Sequence, residues 1–116
     1  MSEYTIYHNP RCSKSRQTLT ILQEKGIEPE IVFYLETPPG AEDLKVLADK
    51  LGLQPREFLR KGENEYKQLG LKNPDHSEAD ILSAMARHPS LIERPIIVKG
   101  NHAVLGRPPE NVLDLL

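Results

Sequence analysis

Within the first 35 residues, two short apolar runs flank a single helical stretch, and this arrangement limits the chain more than anything else in it. Tyr4-Thr5-Ile6-Tyr7 is aromatic and β-branched and reads as a strand that stops at the turn signal Asn9-Pro10. From Ser13 to Lys25 the period becomes helical, with Thr18, Leu19, Ile21 and Leu22 on one face and Gly26 as the stop. Ile31-Val32-Phe33-Tyr34-Leu35 comes next as a second strand, apolar on both faces as expected of a central strand. Two strands joined by one helix make a βαβ unit, with parallel strands and a right-handed crossover. All-helical and all-β folds are thereby set aside.

The remaining elements change type twice. Pro38-Pro39-Gly40 leads into a helix from about Ala41 to Leu51, packed through Leu44, Val46 and Leu47 and closed by Gly52. Pro55 starts a further short helix through Arg60. Ser77-x-x-Asp80 has the form of a capping box, and Ile81, Leu82, Met85 and Ala86 continue at helical spacing until Pro89. Pro95-Ile96-Ile97-Val98-Lys99 reads as a strand, Gly100-Asn101 as a two-residue hairpin turn and Ala103-Val104-Leu105 as the returning strand. Pro108-Pro109 opens a last helix with Val112, Leu113, Leu115 and Leu116 as its packing face. The expectation is one α/β domain over residues 1–116, ordered β-α-β, helical insertion around 41–90, then β-β-α, with a small mixed sheet. That order resembles the thioredoxin architecture with an enlarged helical middle.

Composition narrows the function. A chain of 116 residues suits one domain, and a net charge of -2 argues against a dedicated nucleic-acid binder, which carries a basic excess. No run approaches the ~18 apolar residues of a membrane span. Met1-Ser2-Glu3-Tyr4 has neither a basic nor an apolar leader region, so the expected location is cytoplasmic. No histidine pair shows metal-ligand spacing, and no metal is expected. The chain has one cysteine, Cys12, which cannot form an internal disulfide. It is buried filler, a free surface thiol or a nucleophile.

Placement favours the nucleophile. Cys12 lies where the first strand hands over to the first helix, and a helix N-terminus favours a thiolate and an oxyanion beside it through its unpaired N–H groups and partial positive charge. His8, Arg11, Lys14 and Arg16 add positive charge, and Ser13 and Ser15 add hydroxyls. Ser15 stands where a Cys-x-x-Cys motif would place its second thiol, which rules out a dithiol enzyme working through its own disulfide. His8 also fits a simple packing role at the strand end. Arg94-Pro95, Arg107-Pro108 and Arg60 put guanidinium groups beside turns and a short helix, where they suit planar oxyanion binding. Singly each reads as a surface residue, and spacing alone does not bring them to Cys12.

The stretch from Ile6 to Arg16, with Tyr34-Leu35-Glu36-Thr37-Pro38-Pro39, Leu59-Arg60-Lys61, Tyr66-Lys67-Gln68-Leu69-Gly70-Leu71, His88-Pro89, Ile92-Glu93-Arg94-Pro95-Ile96 and Gly106-Arg107-Pro108, resembles the ArsC-type arsenate reductases, the glutaredoxin-coupled class. The likeness runs through nearly the whole chain in order. It implies a thioredoxin-like fold with a helical insertion, Cys12 as catalytic cysteine, His8 and Ser15 in the same loop, and Arg60, Arg94 and Arg107 as oxyanion ligands. It also implies arsenate as substrate, glutathione as co-substrate with no bound cofactor, and glutaredoxin as the protein that reduces the mixed disulfide. Arg11 and Lys14 replace smaller residues of the plasmid-borne form. Two other readings fit parts of the pattern: a glutathione-dependent thiol oxidoreductase of another substrate, and an Spx-like regulator that binds RNA polymerase. Cys-Ser-Lys-Ser departs from the redox switch of the latter.

Overall fold

A computed structural model describes residues 3–116. Met1 and Ser2, part of the stretch read as lacking leader character, lie outside the described residues. The chain forms two compact units, one made of the residues up to Thr37 with Arg94–Leu116 and the other of Pro38–Glu93.

In the first unit, β1 (Tyr4–Tyr7), α1 (Ser13–Glu24) and β2 (Glu30–Val32) form the expected βαβ, with Ile6 opposite Ile31 in a parallel pair. β3 (Ile96–Lys99) runs antiparallel to β1, and β4 (His102–Leu105) antiparallel to β3. The result is a mixed sheet in the order β2-β1-β3-β4. Gly100 takes φ +59° at the first hairpin position, as the two-residue turn requires. The architecture is α/β and thioredoxin-like. No helix among the described residues is long and apolar enough to cross a membrane.

The core of this unit is built from Ile6 and Ile97, paired across the sheet, with Leu22 of α1 and Val112 and Leu115 of the C-terminal segment. Four of these five are fully buried, each stabilising the fold by roughly 1.5–3 kcal/mol. That C-terminal segment differs from the helix expected of it. Pro109–Leu115 is a 3-10 helix, not an α-helix. At three residues per turn, Val112 and Leu115 share its buried face while Leu113 and Leu116 are exposed.

The second strand is also corrected. β2 is three residues long and sits at the sheet edge, not the centre. The chain leaves it at Phe33, whose carbonyl accepts the N–H groups of Glu36 and Thr37 at 2.9 and 2.8 Å. The apolar run is therefore part strand and part turn, and Ile31, Phe33 and Leu35 are exposed. The strand with three consecutive buried residues is β3.

In the Pro38–Glu93 unit, α2 (Ala41–Leu51) packs on α4 (Glu78–Arg87), and Leu44, Leu47, Ile81 and Met85 on the two helices are buried. Val46, expected among the packing residues of α2, is exposed. The Ser77-Asp80 capping box forms: Asp80 N–H donates to Ser77 Oγ at 3.1 Å, and Ser77 N–H to Asp80 Oδ2 at 3.0 Å. Pro55 starts only a 3-10 turn, Pro55–Phe58, short of Arg60. The short helix α3 (Asn64–Gln68) has no buried residue, which is why no apolar period announced it.

One close approach sets the exit of β4 against α1. Gly106, just after β4, donates its N–H to the Pro95 carbonyl at 2.9 Å. A Cβ at Gly106 would lie 2.6 Å from Pro95 Cγ and 2.7 Å from Thr18 Oγ1. The proline ring is stiff, and Thr18 is fully buried with its hydroxyl donating to the Lys14 carbonyl at 2.8 Å. Neither neighbour can yield cheaply. Gly106→Ala is expected to cost about 1–3 kcal/mol, read as a lower denaturant midpoint at unchanged slope. A variant as stable as wild type would show that this contact has slack.

Candidate active site

The loop from β1 to α1 is built by backbone bonds. His8 N–H extends the β1–β2 ladder to the Val32 carbonyl at 2.9 Å. Asn9 then closes a turn: its Oδ1 accepts Arg11 N–H at 3.0 Å and its carbonyl accepts Cys12 N–H at 3.0 Å. Arg16 Nη1 reaches back to the Pro10 carbonyl at 2.8 Å, so this cation braces the loop. Cys12 is the N-cap residue of α1, in extended conformation and half-buried, and its carbonyl accepts Arg16 N–H at 3.0 Å.

The start of α1 differs from the other long helices. α2 and α4 carry Glu42 and Asp43, and Glu78 and Asp80, in their first turns, whereas α1 has no acidic residue there. The positive end of its dipole therefore has no acidic side chain in that turn to offset it. An oxyanion beside Cys12 is the charge this end accommodates.

His8 and Ser15 are buried together beneath the loop. Ser15 Oγ accepts Asn9 N–H at 3.1 Å and lies 2.6 Å from His8 Nδ1. The ring of His8 packs edge-on against Phe33, centroids 6.0 Å apart. Burial first, and then the positive charge of Arg16, push the His8 imidazole below its ordinary 6.5. His8 is thus neutral near pH 7, and its expected contribution to the positive field is replaced by a hydrogen bond. With Oγ already accepting from Asn9, the network is completed when the serine hydroxyl donates to Nδ1 and Nε2 keeps its hydrogen.

The two arginine-proline turns of this unit come together. Arg94-Pro95 and Arg107-Pro108 both have cis peptide bonds. Arg107 Nη1 reaches the Arg94 carbonyl at 3.4 Å, and Gly106 ties to Pro95. Asn111 Nδ2 holds the Leu105 and Arg107 carbonyls at 3.2 and 3.1 Å. Through Gly106 and Thr18 both turns lie against α1 within two turns of Cys12. Sequence reasoning gives Thr18 only a packing role, names Gly106 only within a family motif and passes over Asn111. Of the three, only Gly106 carries a signal, a glycine immediately before an Arg-Pro pair.

Arg60 belongs to the other unit. Its backbone N–H donates to the Leu91 carbonyl at 2.7 Å, and its guanidinium pairs with Glu63 at 3.2 Å and Glu93 at 3.9 Å.

The lowered His8 titration has a consequence for stability. Below pH 6.5 the unfolded chain takes up a proton that the folded one resists. Stability carried by neutral His8 is therefore present above that pH and is lost as pH falls toward the folded value, at no more than ~1.4 kcal/mol per pH unit. Unfolding free energies of wild type and His8→Gln, measured from pH 8 to 5, should diverge in this direction, with wild type losing more on acidification. A pH-independent difference would show that His8 titrates alike in both states.

A profile of the ArsC family matches residues 7–115. The arsenate reductase of Neisseria meningitidis serogroup A is 49% identical over 117 residues, covering 100% of both chains. The uncharacterized protein YfgD of Escherichia coli K12 is 51% identical over 112 residues, covering 96% of this chain and 94% of its own. The solved structure of an arsenate reductase from Vibrio cholerae superposes with a TM-score of 0.96 at 50% identity, covering 97% of each chain. With its half-buried cysteine at a helix start and two arginine turns packed on that helix, this chain belongs to the ArsC family.

Proposed function

We propose that the chain is an arsenate reductase in which Cys12 is the nucleophile. The observation that carries this reading is the packing of the Arg94 and Arg107 turns on the helix whose N-cap is Cys12. Relatives about half identical over their full length bear the same activity in their names. Arsenate is a tetrahedral oxyanion. The start of α1 and the guanidinium groups of Arg94 and Arg107 offset its charge, and Arg60 has the same task by family resemblance.

In this reaction the Cys12 sulfur bonds to arsenic, and one arsenate oxygen leaves as water after protonation. The His8–Ser15 pair holds the loop that presents the sulfur and needs no charge of its own. Cys12 is the only cysteine, so the second thiol comes from outside. Glutathione fills that place in our reading. Its sulfur bonds to that of Cys12, the two thiols together give two electrons to arsenic, and arsenite departs. A glutaredoxin thiol then attacks the glutathione sulfur, forming a glutaredoxin–glutathione disulfide as the Cys12–glutathione bond breaks and the Cys12 sulfur leaves free. Such a cycle requires a reducing compartment, and the cytoplasm meets that requirement.

The test is arsenate-dependent NADPH oxidation coupled through glutathione, glutaredoxin and glutathione reductase. Cys12→Ser should fall to background. Arg94→Ala and Arg107→Ala should each lose a charged contact of about 1.5–3 kcal/mol, a roughly 10- to 100-fold drop in kcat/KM. Undiminished turnover in Cys12→Ser would overturn the mechanism. Absent arsenate turnover together with rapid reduction of a glutathionylated peptide would replace arsenate with a thiol substrate.

A further inference from the structure

We propose that Glu63 and Glu93 act as built-in competitors for Arg60 and set how strongly it binds an oxyanion, an inference that rests on the anion-binding role proposed for Arg60. The guanidinium has Glu63 Oε1 3.2 Å from Nη1 and Glu93 Oε1 3.9 Å from Nε. The Arg60 guanidinium therefore already faces two carboxylates. The three side chains are only 25–30% exposed, so the pairs are less screened than ordinary surface pairs.

The arrangement is fixed by backbone. Leu59 and Ile92 form an antiparallel bridge, Arg60 N–H donates to the Leu91 carbonyl at 2.7 Å, and Glu93 N–H donates to the Phe58 carbonyl at 2.9 Å. Arg60 and Glu93 are consequently held beside each other by the two segments that carry them. Glu63 arrives from the N-cap position of α3, three residues beyond Arg60. A side chain so held is oriented before any substrate comes, but its charge is already answered.

An incoming oxyanion must displace a carboxylate or bind against two negative charges. Weak monovalent anions fail this competition, and only a strongly charged tetrahedral oxyanion with several acceptor oxygens succeeds. Glu63 and Glu93 thus trade affinity for selectivity. Glutamine keeps the shape and the acceptor oxygen while removing the charge, so it releases Arg60 without letting it wander.

The experiment measures arsenate dissociation constants by titration calorimetry in a Cys12→Ser background, where no covalent step intervenes. Glu63→Gln/Glu93→Gln should bind arsenate about two- to fivefold more tightly, and chloride should compete better than before. Adding Arg60→Ala should abolish that gain. Equal or weaker arsenate binding in the double variant would overturn the inference, as would a gain that survives Arg60→Ala, since the carboxylates would then act without Arg60. The parent reading is tested apart: if Arg60→Ala alone leaves arsenate affinity unchanged, Arg60 is no anion ligand and both ideas fall. If wild type shows no arsenate turnover while the Arg60-dependent tightening persists, reduction of arsenate falls and the competition for Arg60 stands.

Discussion

The contact of Gly106 with Pro95 and Thr18 governs the geometry of the unit that holds the cysteine. It removes the spacing that a side chain would impose between the β4 exit and α1. Because Thr18 is on the helix that begins at Cys12, the distance from the sulfur's helix to the Arg94 and Arg107 turns is set by close packing. Close-packed interiors shift little, so charges placed by them stay placed. Asn111 completes the arrangement by gathering two carbonyls of the Arg107 turn, and the core of Ile6, Leu22, Ile97 and Val112 holds the sheet and helix in register beneath.

The groups that read as cations around Cys12 differ in what they do. Arg16 braces the Pro10 carbonyl while keeping its charge, and His8 is neutral, so one of the apparent cations serves only the loop's shape. Available to an oxyanion beside Cys12 are the undiluted start of α1 and the cations Arg11, Lys14 and Arg16 of the same stretch, with the paired arginine turns packed on the helix. Preorganised dipoles of this kind require no reorientation as charge develops, which makes them effective in a reaction that moves negative charge onto a small centre.

Much of this is legible in order along the chain. The βαβ start, the Ser77-Asp80 cap and the Gly100 hairpin are local features, decided by residues within a few positions of one another. So is the location of Cys12 at the first turn of a helix. What stays hidden depends on distant partners. Apolar content in Ile31–Leu35 does not say how many strands will flank it, and the strand takes an edge position instead of a central one. The spacing of Val112 and Leu115 fits either helix type until the packing surface chooses. The tightness at Gly106 involves residues from three separate stretches, and the pairing of Arg60 with Glu93 depends on a bridge between Leu59 and Ile92. His8 reads as a cation because its burial is invisible in a list of neighbours.

The edge strand β2 has a bearing on how the protein survives at high concentration. It presents exposed Ile31, with Phe33 and Leu35 just beyond, on the unpaired margin of a sheet, which is the template on which chains stack into aggregates. Its protection is brevity. Pro29 precedes it, Glu30 begins it, and the turn at Phe33 bends the backbone away after three residues. A foreign strand finds too few unpaired amides to hold. The same turn that shortens the strand also seats Phe33 against His8, so resistance to self-stacking and the shape of the Cys12 loop share one bend of the chain.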